Sequence, residues 1–459
     1  MHCTQAGFIH IPAGAENILQ TLHRAGFEAY VVGGCVRDSL LHRVPDDWDI
    51  TTSARPEEVK SLFRRTVDTG IQHGTVTVLM GREGYEVTTY RVDGEYADGR
   101  HPVAVTFTPS LQEDLKRRDF TINAMAYNPG EGLVDRFGGM EDLQNGIIRA
   151  VGDPVQRFTE DALRMLRAVR FSAQLGYEIE TETQEGIRGL CANLRLVSAE
   201  RVRVELEKLL CSPHPGRLRE MYRLGILDYV LPELSACMDC EQNNPHHCRT
   251  VGEHIIRSVE AVRNDRVLRL TMLLHDIAKP AVRSTDAGGT DHFHGHVRKS
   301  ADMADGILRR LKYDNDTRKA VVKLVAWHDR DLGESPAKLR RNLSELGAGY
   351  FPLLMEVKRA DLAAQSDYLK KEKLAQTEQW MQHFEQIIRE KDALTVSELA
   401  VNGKDLIAQG VRPGVELGET LHAMLEDVLE HPEHNTRGYL LEHCGCLSAC
   451  RNATETPVS

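Results

Sequence analysis

The first third of the chain combines the apolar spacing of helices with that of strands. Residues 14–25 are amphipathic with helical spacing, whereas Ala29–Val32 is uniformly apolar, as in a buried strand. Two further strands are predicted at Thr75–Met80 and at 85–90, where apolar and polar residues alternate. Short strands between helices predict one α/β domain with a small sheet over residues 1–150.

The apolar spacing after this region is almost entirely helical. An Asp-Pro pair at 153–154 favours a helix start, and we predict that this helix runs over 155–175 and ends at Gly176. Helical patterns continue toward the C-terminus and include a long charged helix over 366–396. The predicted fold class is therefore multidomain α+β, with a small mixed-sheet head followed by all-α regions.

Composition narrows the class of protein. A chain of 459 residues is too long for one core, so roughly two to four domains are expected. No apolar run approaches the ~20 residues of a membrane span, and the N-terminus lacks the pattern of a secretory signal. The ten cysteines lack a framework-like spacing, so we expect reduced thiols in the cytoplasm. The net charge of −11 argues against a generally basic nucleic-acid-binding surface but is compatible with a local basic groove.

Two glycines directly follow the first predicted strand. The chain reads strand, Gly33-Gly34, then a short helix. Glycine lets the backbone approach an anion closely, and the N–H groups at a helix start point toward it. Arg37, one turn into the helix, adds a guanidinium fork that suits phosphate oxygens. The stretch therefore predicts a phosphate-binding turn.

Two aspartates lie two residues apart in the next predicted strand, which is expected to start near Trp48. Because side chains alternate along a strand, Asp47 and Asp49 should face the same side. Adjacent carboxylates repel each other unless a cation lies between them, and hard oxygen ligands beside a triphosphate indicate Mg²⁺. Glu86 is either a third metal carboxylate or an exposed strand residue. Alone, each motif is commonly only structural, but in this order the two indicate phosphoryl transfer.

A polar loop and a basic run separate these strands from the helical region. The segment 93–110 is predicted to form a loop that closes over substrate, with a strand near its end. Arg117, Arg118 and Asp119 adjoin an apolar stretch, which favours contact with a triphosphate and a sugar. A solvated surface charge run is the alternative.

The first helix of the α-helical region carries an acidic and basic cluster. Glu160, Asp161 and Arg164 are expected within about 100° on one face, with Arg167 close to Glu160 and Arg170 further round. A carboxylate accepts hydrogen bonds, whereas a guanidinium only donates them. Asp161 beside Arg164 would therefore match the amino group and ring nitrogen of cytosine and adenine, and would reject uracil and guanine. A salt bridge on a solvated helix is the alternative.

Taken together, these motifs resemble the bacterial and eukaryotic-type CCA-adding tRNA nucleotidyltransferases, and bacterial poly(A) polymerases share them. The matching segments are Gly33-Gly34-x-Val36-Arg37-Asp38, Asp47-x-Asp49, Arg117-Arg118-Asp119-Phe120-Thr121-Ile122-Asn123-Ala124 and Glu160-Asp161-x-x-Arg164-x-x-Arg167-x-x-Arg170. The resemblance implies a head similar to DNA polymerase beta, followed by helical neck, body and tail. It implies addition of C, C and A to tRNA 3′ ends from CTP and ATP, with Mg²⁺ held by Asp47 and Asp49. The implied nucleotide contacts are Gly34, Arg37, Arg118, Asp161, Arg164, Arg167 and Arg170.

Histidines and aspartates recur later in an order that resembles HD-type phosphohydrolase domains. The resemblance implies a second divalent metal at His254, His275, Asp276 and Asp329, with His296 and His328 as additional ligands. A degenerate, purely structural HD domain is the alternative. Cys237-x-x-Cys240, followed by His246, His247 and Cys248, is a zinc candidate by residue type, but it lacks the spacing of a common zinc finger, so zinc is not favoured and the role of these cysteines stays open.

These motifs divide the chain into predicted regions. The regions are a nucleotidyltransferase head over 1–150, a base-recognising neck over 151–215, the start of the body over 216–245, an HD domain over 246–365, a tRNA-binding body and tail over 366–445 and a disordered C-terminus over 446–459. The stretch 199–205 resembles a helix that braces the neck, and we interpret it as structural. The predicted partners are the tRNA 3′ end, CTP and ATP, without a membrane and without a predicted oligomeric state. The alternatives are a poly(A) polymerase, an enzyme that adds only CC or only A, and an HD phosphohydrolase that uses the head only to hold RNA.

Overall fold

The computed structural model describes residues 9–93, 105–243 and 249–444. The chain divides into two compact units, Met1–Ser235 and Ala236–Ser459. Among the described residues, no helix is both long and apolar enough to cross a membrane. Most of the predicted 93–110 loop, the residues His246, His247 and Cys248, and the predicted disordered C-terminus lie outside the described residues.

The described residues of the first unit form a seven-stranded sheet and two smaller strand pairs. In chain order the strands are β1 (Ala29–Val32), β2 (Ile50–Thr52), β3 (Thr66–Gly70), β4 (Thr75–Met80), β5 (Glu83–Thr89), β6 (Arg91–Asp93), β7 (Val105–Phe107), β8 (Met125–Asn128), β9 (Gly132–Asp135), β10 (Ile147–Ile148) and β11 (Glu178–Ile179). The order in the large sheet is β3-β4-β5-β2-β1-β8-β9, with β2 and β5 parallel and the other neighbours antiparallel. The prediction of a mixed sheet is confirmed.

Short helices pack around this sheet and longer helices follow it. They are α1 (Ala13–Arg24), α2 (Gly34–Leu40), α3 (Pro56–Leu62), α4 (Leu111–Lys116), α5 (Gly139–Asn145), α6 (Pro154–Glu160), α7 (Leu163–Leu175), α8 (Thr181–Leu190), α9 (Ala199–Leu210), α10 (Leu218–Arg223), α11 (Leu227–Val230) and α12 (Pro232–Met238). Tyr30 and Val32 of β1, an interior strand of the large sheet, are buried with Tyr90 and Leu115, so this part of the sheet lies in the core.

The predicted acid pair lies just before a strand. The backbone N–H of Val32 donates to the carbonyl of Asp49 at 3.0 Å. Gly33 then turns the chain into α2 with a φ of 82°, which is a conformation that favours glycine. Because β1 ends at Val32, residues 47–49 extend past the end of the β1–β2 pairing. The strand β2 begins only at Ile50. The prediction of a strand starting near Trp48 is therefore wrong by about two residues.

The predicted helix over 155–175 is two helices. α6 ends at Glu160, and Asp161 has an extended backbone with φ −143° and ψ 104°. The Asp161 carboxylate accepts from the backbone N–H of Leu163 at 3.0 Å, as an N-cap residue does at a helix start. Side-chain capping by Asp161 therefore favours the beginning of a new helix, α7. This helix ends at Gly176 as predicted.

The second unit is helical apart from one strand pair among its described residues. Its elements are α13 (Val251–Ala261), α14 (Arg266–Leu274), α15 (Lys279–Val282), β12 (Ser284–Thr285), β13 (Asp291–His292), α16 (His296–Arg310), α17 (Asn315–Trp327), α18 (Pro336–Leu346), α19 (Phe351–Ala364), α20 (Lys370–Glu390), α21 (Gly403–Ala408), α22 (Val415–Glu430) and α23 (Arg437–Glu442). Leu324, Phe351 and Trp380 belong to its hydrophobic core. The predicted long charged helix is confirmed as α20, although it is shorter at both ends.

Candidate active site

A polar cavity in the first unit gathers most of the predicted head residues. Its walls come from the turn after β1, the segment before β2, and α7. The lining residues are Gly33, Gly34, Cys35, Arg37, Asp38, Asp46, Asp47, Asp49, Arg118, Asp119, Asn123, Arg167, Arg170, Phe171 and Lys208. The sequence motifs that surround the predicted phosphate turn and acid pair therefore meet in one place.

Gly33 allows an arginine to approach the turn. A Cβ atom at this position would lie 3.2 Å from Nη1 of Arg118. Together with its positive φ, this close approach restricts the position to glycine. The Arg118 guanidinium and the glycine turn thus face the same cavity, as expected of a phosphate-binding site.

The acid pair faces this cavity with an arginine nearby. Desolvation in the cleft raises the pKa of Asp49, as do the negative charges of Glu86 and Asp47, while Arg118 acts in the opposite direction. A local excess of negative charge is the condition under which carboxylates bind a cation. The donor set of Asp47 and Asp49 therefore fits Mg²⁺, and two carboxylates leave coordination positions for phosphate oxygens. Glu86 lies near enough to Asp49 to affect its pKa, and it is exposed on β5.

A buried aspartate anchors the basic run. Asp114 pairs with Arg117 at 2.9 Å and with Arg118 at 3.3 Å, and it accepts from the hydroxyl of Thr51 at 3.0 Å. Burial alone would raise the pKa of Asp114, but the two arginines and Thr51 outweigh it and lower that pKa. Asp114 therefore ties Arg118 to β2, the strand that follows the acid pair.

Arg37, the arginine of the predicted phosphate-binding turn, is also held by hydrogen bonds to several side chains. Arg37 is bonded to Asp38 at 2.8 Å and donates to Oδ1 of Asn123 at 2.7 Å. Asn123 in turn donates to Asp119, which pairs with Arg167 at 2.6 Å. This chain of contacts joins α2, the basic run and α7 around the cavity.

An aromatic ring that sequence reasoning missed lies among the arginines. The guanidinium carbons of Arg37, Arg167 and Arg170 lie 5.0, 5.4 and 3.6 Å from the ring centroid of Phe171. These distances are those of cation–π contacts. Phe171 shares the apolar spacing of α7, which is typical of an ordinary core position, so no separate sequence signal marks it.

The side chains of the two predicted base-reading residues bind different partners. Asp161 pairs with Arg201 of α9 at 2.7 Å. Arg164 instead donates to Glu160 at 2.7 Å and to the backbone carbonyl of Arg117 at 2.8 Å. Because the helix is interrupted at Asp161, the expected shared helical face does not exist. The described cavity lining includes Arg167 and Arg170 but neither Asp161 nor Arg164.

A second cluster of ionisable groups lies in the second unit. His254 Nε2 is 2.9 Å from Asp361 Oδ1 and 3.2 Å from His275 Nε2. Asp276 Oδ2 is 3.4 Å from each of these two imidazole nitrogens and 2.6 Å from Lys279 Nζ. Burial alone would lower the pKa of His275, but Asp276 and Asp361 raise it to about 10. His254, His275 and Asp276 offer donor atoms within 4.8 Å of one another, close enough to share one metal ion.

The other oxygen of Asp276 faces two more histidines. Among the described residues, Oδ1 is buried without a hydrogen-bond partner, at 3.5 Å from Nε2 of His296 and 3.6 Å from Nε2 of His328. Nδ1 of His275, His296 and His328 each faces a backbone carbonyl at 2.7–2.9 Å, and a donating Nδ1 leaves Nε2 as a lone-pair donor to a metal. The donor set therefore fits a divalent metal, and His254, His275, Asp276, His296 and His328 are brought together as predicted.

The structure does not bring Asp329 into either group. Asp329 is exposed, directly after His328, and lines the same cavity as Asp276 and Asp361, whereas Asp361 of α19 also contacts His254 and His275. Asp361 was missed because a lone aspartate in an otherwise ordinary helix gives no sequence signal. Of the cysteine pair, Cys237 donates to the carbonyl of Ile277, and the described metal-binding groups do not include it.

Comparisons with known proteins match three parts of the chain to family models. The models are described as the poly A polymerase head domain, matched at residues 29–149, the probable RNA and SrmB-binding site of polymerase A, at 176–238, and a putative tRNA nucleotidyltransferase domain 2, at 295–444. Together with the mixed sheet and the acid pair beside a glycine turn, they define the class of protein, which is a nucleotidyltransferase with a poly A polymerase head.

Individual relatives narrow this class. A CCA-adding enzyme of Lactobacillus helveticus is 37% identical over 92% of this chain and 94% of its own length. A CCA-adding enzyme of Leuconostoc mesenteroides is 58% identical, in a match that spans about half the length of each protein, 47% of this chain and 54% of the relative. The chain belongs to the family of CCA-adding enzymes.

A solved structure agrees with this assignment. The crystal structure of the Bacillus stearothermophilus CCA-adding enzyme in complex with CTP is similar with a TM-score of 0.73 and 31% identity, over 96% of this chain and 98% of that chain. A Thermotoga maritima CCA-adding enzyme complexed with tRNA shares the fold at a TM-score of 0.58 and 21% identity. Relatives matched over most of the chain are CCA-adding enzymes, so the poly(A) polymerase alternative is not favoured.

Proposed function

We propose that this chain adds C, C and A to the 3′ end of tRNA from CTP and ATP without a nucleic-acid template. The observation that supports this most strongly is the single cavity that combines Asp47 and Asp49 with Arg118, Arg167 and Arg170. In this proposal residues 1–150 carry the chemistry, 151–215 read the base and 366–445 bind tRNA. The remaining predicted regions, 216–245 and 246–365, are the start of the body and an HD domain, and the protein acts in the cytoplasm.

The proposed transfer joins the tRNA to one nucleotide and releases pyrophosphate. The 3′-hydroxyl of the tRNA loses its proton to solvent, its oxygen forms a bond to the α-phosphorus, and the bond from that phosphorus to the pyrophosphate oxygen breaks. Asp47 and Asp49 would hold Mg²⁺, which would supply Lewis acidity at the hydroxyl and the phosphates when bound. Gly34, Arg37 and Arg118 bind the triphosphate, and the two guanidinium groups stabilise its developing charge.

Residues on α7 and on the link that precedes it select the nucleotide in this proposal. Asp161 accepts from the exocyclic amino group of cytosine or adenine, and Arg164 donates to the ring nitrogen beside it. Uracil and guanine present a carbonyl and an N–H at these positions, so both contacts would be lost. Arg167 and Arg170 line the cavity and contact the nucleotide.

The proposal is tested by measuring CMP transfer and CTP binding separately in the same variant. Asp47→Ala is expected to reduce CMP incorporation into tRNA lacking its CCA end by at least about 10³-fold, because the cation loses a ligand, while CTP still binds. Asp46→Ala, which removes the neighbouring carboxylate in the same cavity, is the matched control and should stay within about tenfold of the parent. Incorporation by the Asp47 variant at the parent rate would refute the assigned role.

A second candidate function belongs to the second unit. His254, His275 and Asp276 offer donor atoms within 4.8 Å of one another, with Asp361 2.9 Å from His254, which favours a divalent metal, and metal-bound clusters of this kind support phosphate-ester hydrolysis. We infer that His254, His275, Asp276 and Asp361 hold this metal in an HD-type phosphohydrolase site. In this proposal Asp361 is the metal ligand in place of the predicted Asp329.

Metal content distinguishes the two aspartates. Asp361→Asn is expected to lower the Mn²⁺ retained by the full chain after gel filtration by at least about tenfold, measured by elemental analysis. Asp329→Asn is the matched control and should retain as much metal as the parent chain. Equal retention by the two variants, or loss only in the Asp329 variant, would contradict the ligand assignment.

A further inference from the structure

We infer that Arg201 is the positioning residue that orients Asp161 and thereby sets which bases the chain accepts. This inference rests on the proposed reading of the base by Asp161 and Arg164. Arg201 lies on α9, in the stretch that the sequence indicated only as a structural brace. Its Nη2 lies 2.7 Å from Oδ2 of Asp161, and the two side chains are 22% and 16% exposed. The pair is therefore shielded from water but still reachable from the surface.

The two oxygens of Asp161 have different partners. Oδ1 accepts from the backbone N–H of Leu163 at 3.0 Å, and Oδ2 accepts from Arg201. Two separate contacts fix the plane of the carboxylate, whereas one alone would let it rotate. A carboxylate has about four acceptor sites, so the contacts leave capacity for the amino group of a base. Of the two contacts, only the one with Arg201 can be removed by substituting the partner's side chain.

Arg164, the proposed hydrogen-bond donor to the base, is held in place by residues other than Arg201. Arg164 donates to Glu160 at 2.7 Å and to the carbonyl of Arg117 at 2.8 Å. Arg201 is not among these contacts, so changing it affects the acceptor and leaves the donor in place. Without Arg201, the cations available to Asp161 include Arg164 and Arg167, the second of which already interacts electrostatically with Asp161. Pairing with either would turn the carboxylate away from the orientation that Arg201 sets, so that its remaining acceptor sites no longer face the amino group that distinguishes cytosine from uracil.

The experiment measures kcat/KM for CTP, ATP, UTP and GTP on tRNA that lacks its CCA end. Arg201→Ala is expected to lower the ratio of CTP to UTP by at least about tenfold, mainly through a higher KM for CTP, because an oriented acceptor is lost. Arg201→Lys keeps a cation and should recover most of the ratio. Arg223→Ala removes an exposed arginine that pairs with Glu220 on α10, and as the matched control it should keep the ratio within about twofold.

Asp161→Ala separates failure of this inference from failure of the proposed function. Loss of discrimination in Asp161→Ala but not in Arg201→Ala would overturn the role of Arg201 alone. No loss in either variant would overturn the proposed reading of the base as well. A uniform decrease for all four nucleotides in Arg201→Ala, with the ratios unchanged, would assign Arg201 a structural role and overturn the inference. If thermal denaturation shows that Arg201→Ala is unfolded, Arg201→Gln replaces it, and an unchanged ratio in that variant would overturn the inference equally.

Discussion

Buried charge pairs organise the candidate active site at the scale of single residues. Asp119 is bonded to Arg167 at 2.6 Å and accepts from the side chain of Asn123 at 3.2 Å. Burial alone would raise the pKa of Asp119, but Arg167 and Asn123 outweigh it and hold that pKa far below its usual value of 3.8. The carboxylate therefore stays ionised and links the basic run to α7.

The first prediction concerns the pH dependence of stability. Because the folded-state pKa of Asp119 is lowered, its stabilising contribution is present above the unfolded pKa near 4 and is lost as the pH falls below it. Asp119→Asn should lower the free energy of unfolding by about 2 kcal/mol at pH 7 and by less at pH 3. Urea unfolding at the two pH values measures this difference. Asp68→Asn, at an exposed pair with Lys60, is the control with an expected effect below about 0.5 kcal/mol. An equal loss at both pH values for Asp119→Asn would contradict this role of the carboxylate.

Close backbone packing positions the site at the scale of elements. α5 begins at Gly139, beside the 3₁₀ helix Thr121–Asn123, which carries the partner of Arg37. A Cβ atom on Gly139 would lie 2.2 Å from the carbonyl oxygen of Thr121, a distance that no side chain tolerates without a shift of the backbone. The approach of α5 to this 3₁₀ helix therefore requires glycine.

Substitution of this glycine should damage both stability and binding. Gly139→Ala is expected to destabilise the protein by about 3 kcal/mol and to raise the KM for CTP, because the displaced 3₁₀ helix no longer holds Arg37. Gly189→Ala in α8 is the matched control: nothing lies within 4 Å of its added Cβ, and alanine favours a helix by about 0.5 kcal/mol. Urea unfolding and steady-state kinetics test both variants. Similar stability of the two would show that the packing at Gly139 is looser than these distances indicate.

The whole molecule combines two chemically distinct sites, one in each compact unit. The first unit holds carboxylates and arginines around a cavity that suits a nucleotide, and the second holds histidines and aspartates that suit a divalent metal. The two donor sets share no residue. We therefore expect that a substitution can inactivate either site without affecting the other.

A pair of variants tests this independence. His275→Ala should lose retained Mn²⁺ but keep CMP incorporation within about threefold of the parent, because His275 takes no part in the nucleotide cavity. Asp47→Ala should show the opposite result, with metal retention in the second unit unchanged. Loss of incorporation in a folded His275 variant would indicate that the second site also serves nucleotide addition.

Local signals in the sequence predicted much of this molecule. The glycine turn, the acid pair and the basic run each depend on a short segment, and the structure gathers them in one cavity. Arg201 and Asp361 could not be predicted in this way, because their partners lie 40 residues away for Arg201 and about a hundred for Asp361. The break at Asp161 was missed because apolar spacing continues through it, whereas the side-chain cap that interrupts the helix depends on local geometry.

The most direct test of the central claim is the sequence of the 3′ ends formed on tRNA that lacks its CCA end, with all four nucleotides present. The proposed function predicts that two cytidines and then one adenosine are added and that uridine and guanosine stay rare. A run of adenosines, addition of only CC or only A, or incorporation of all four bases at similar frequency would contradict it.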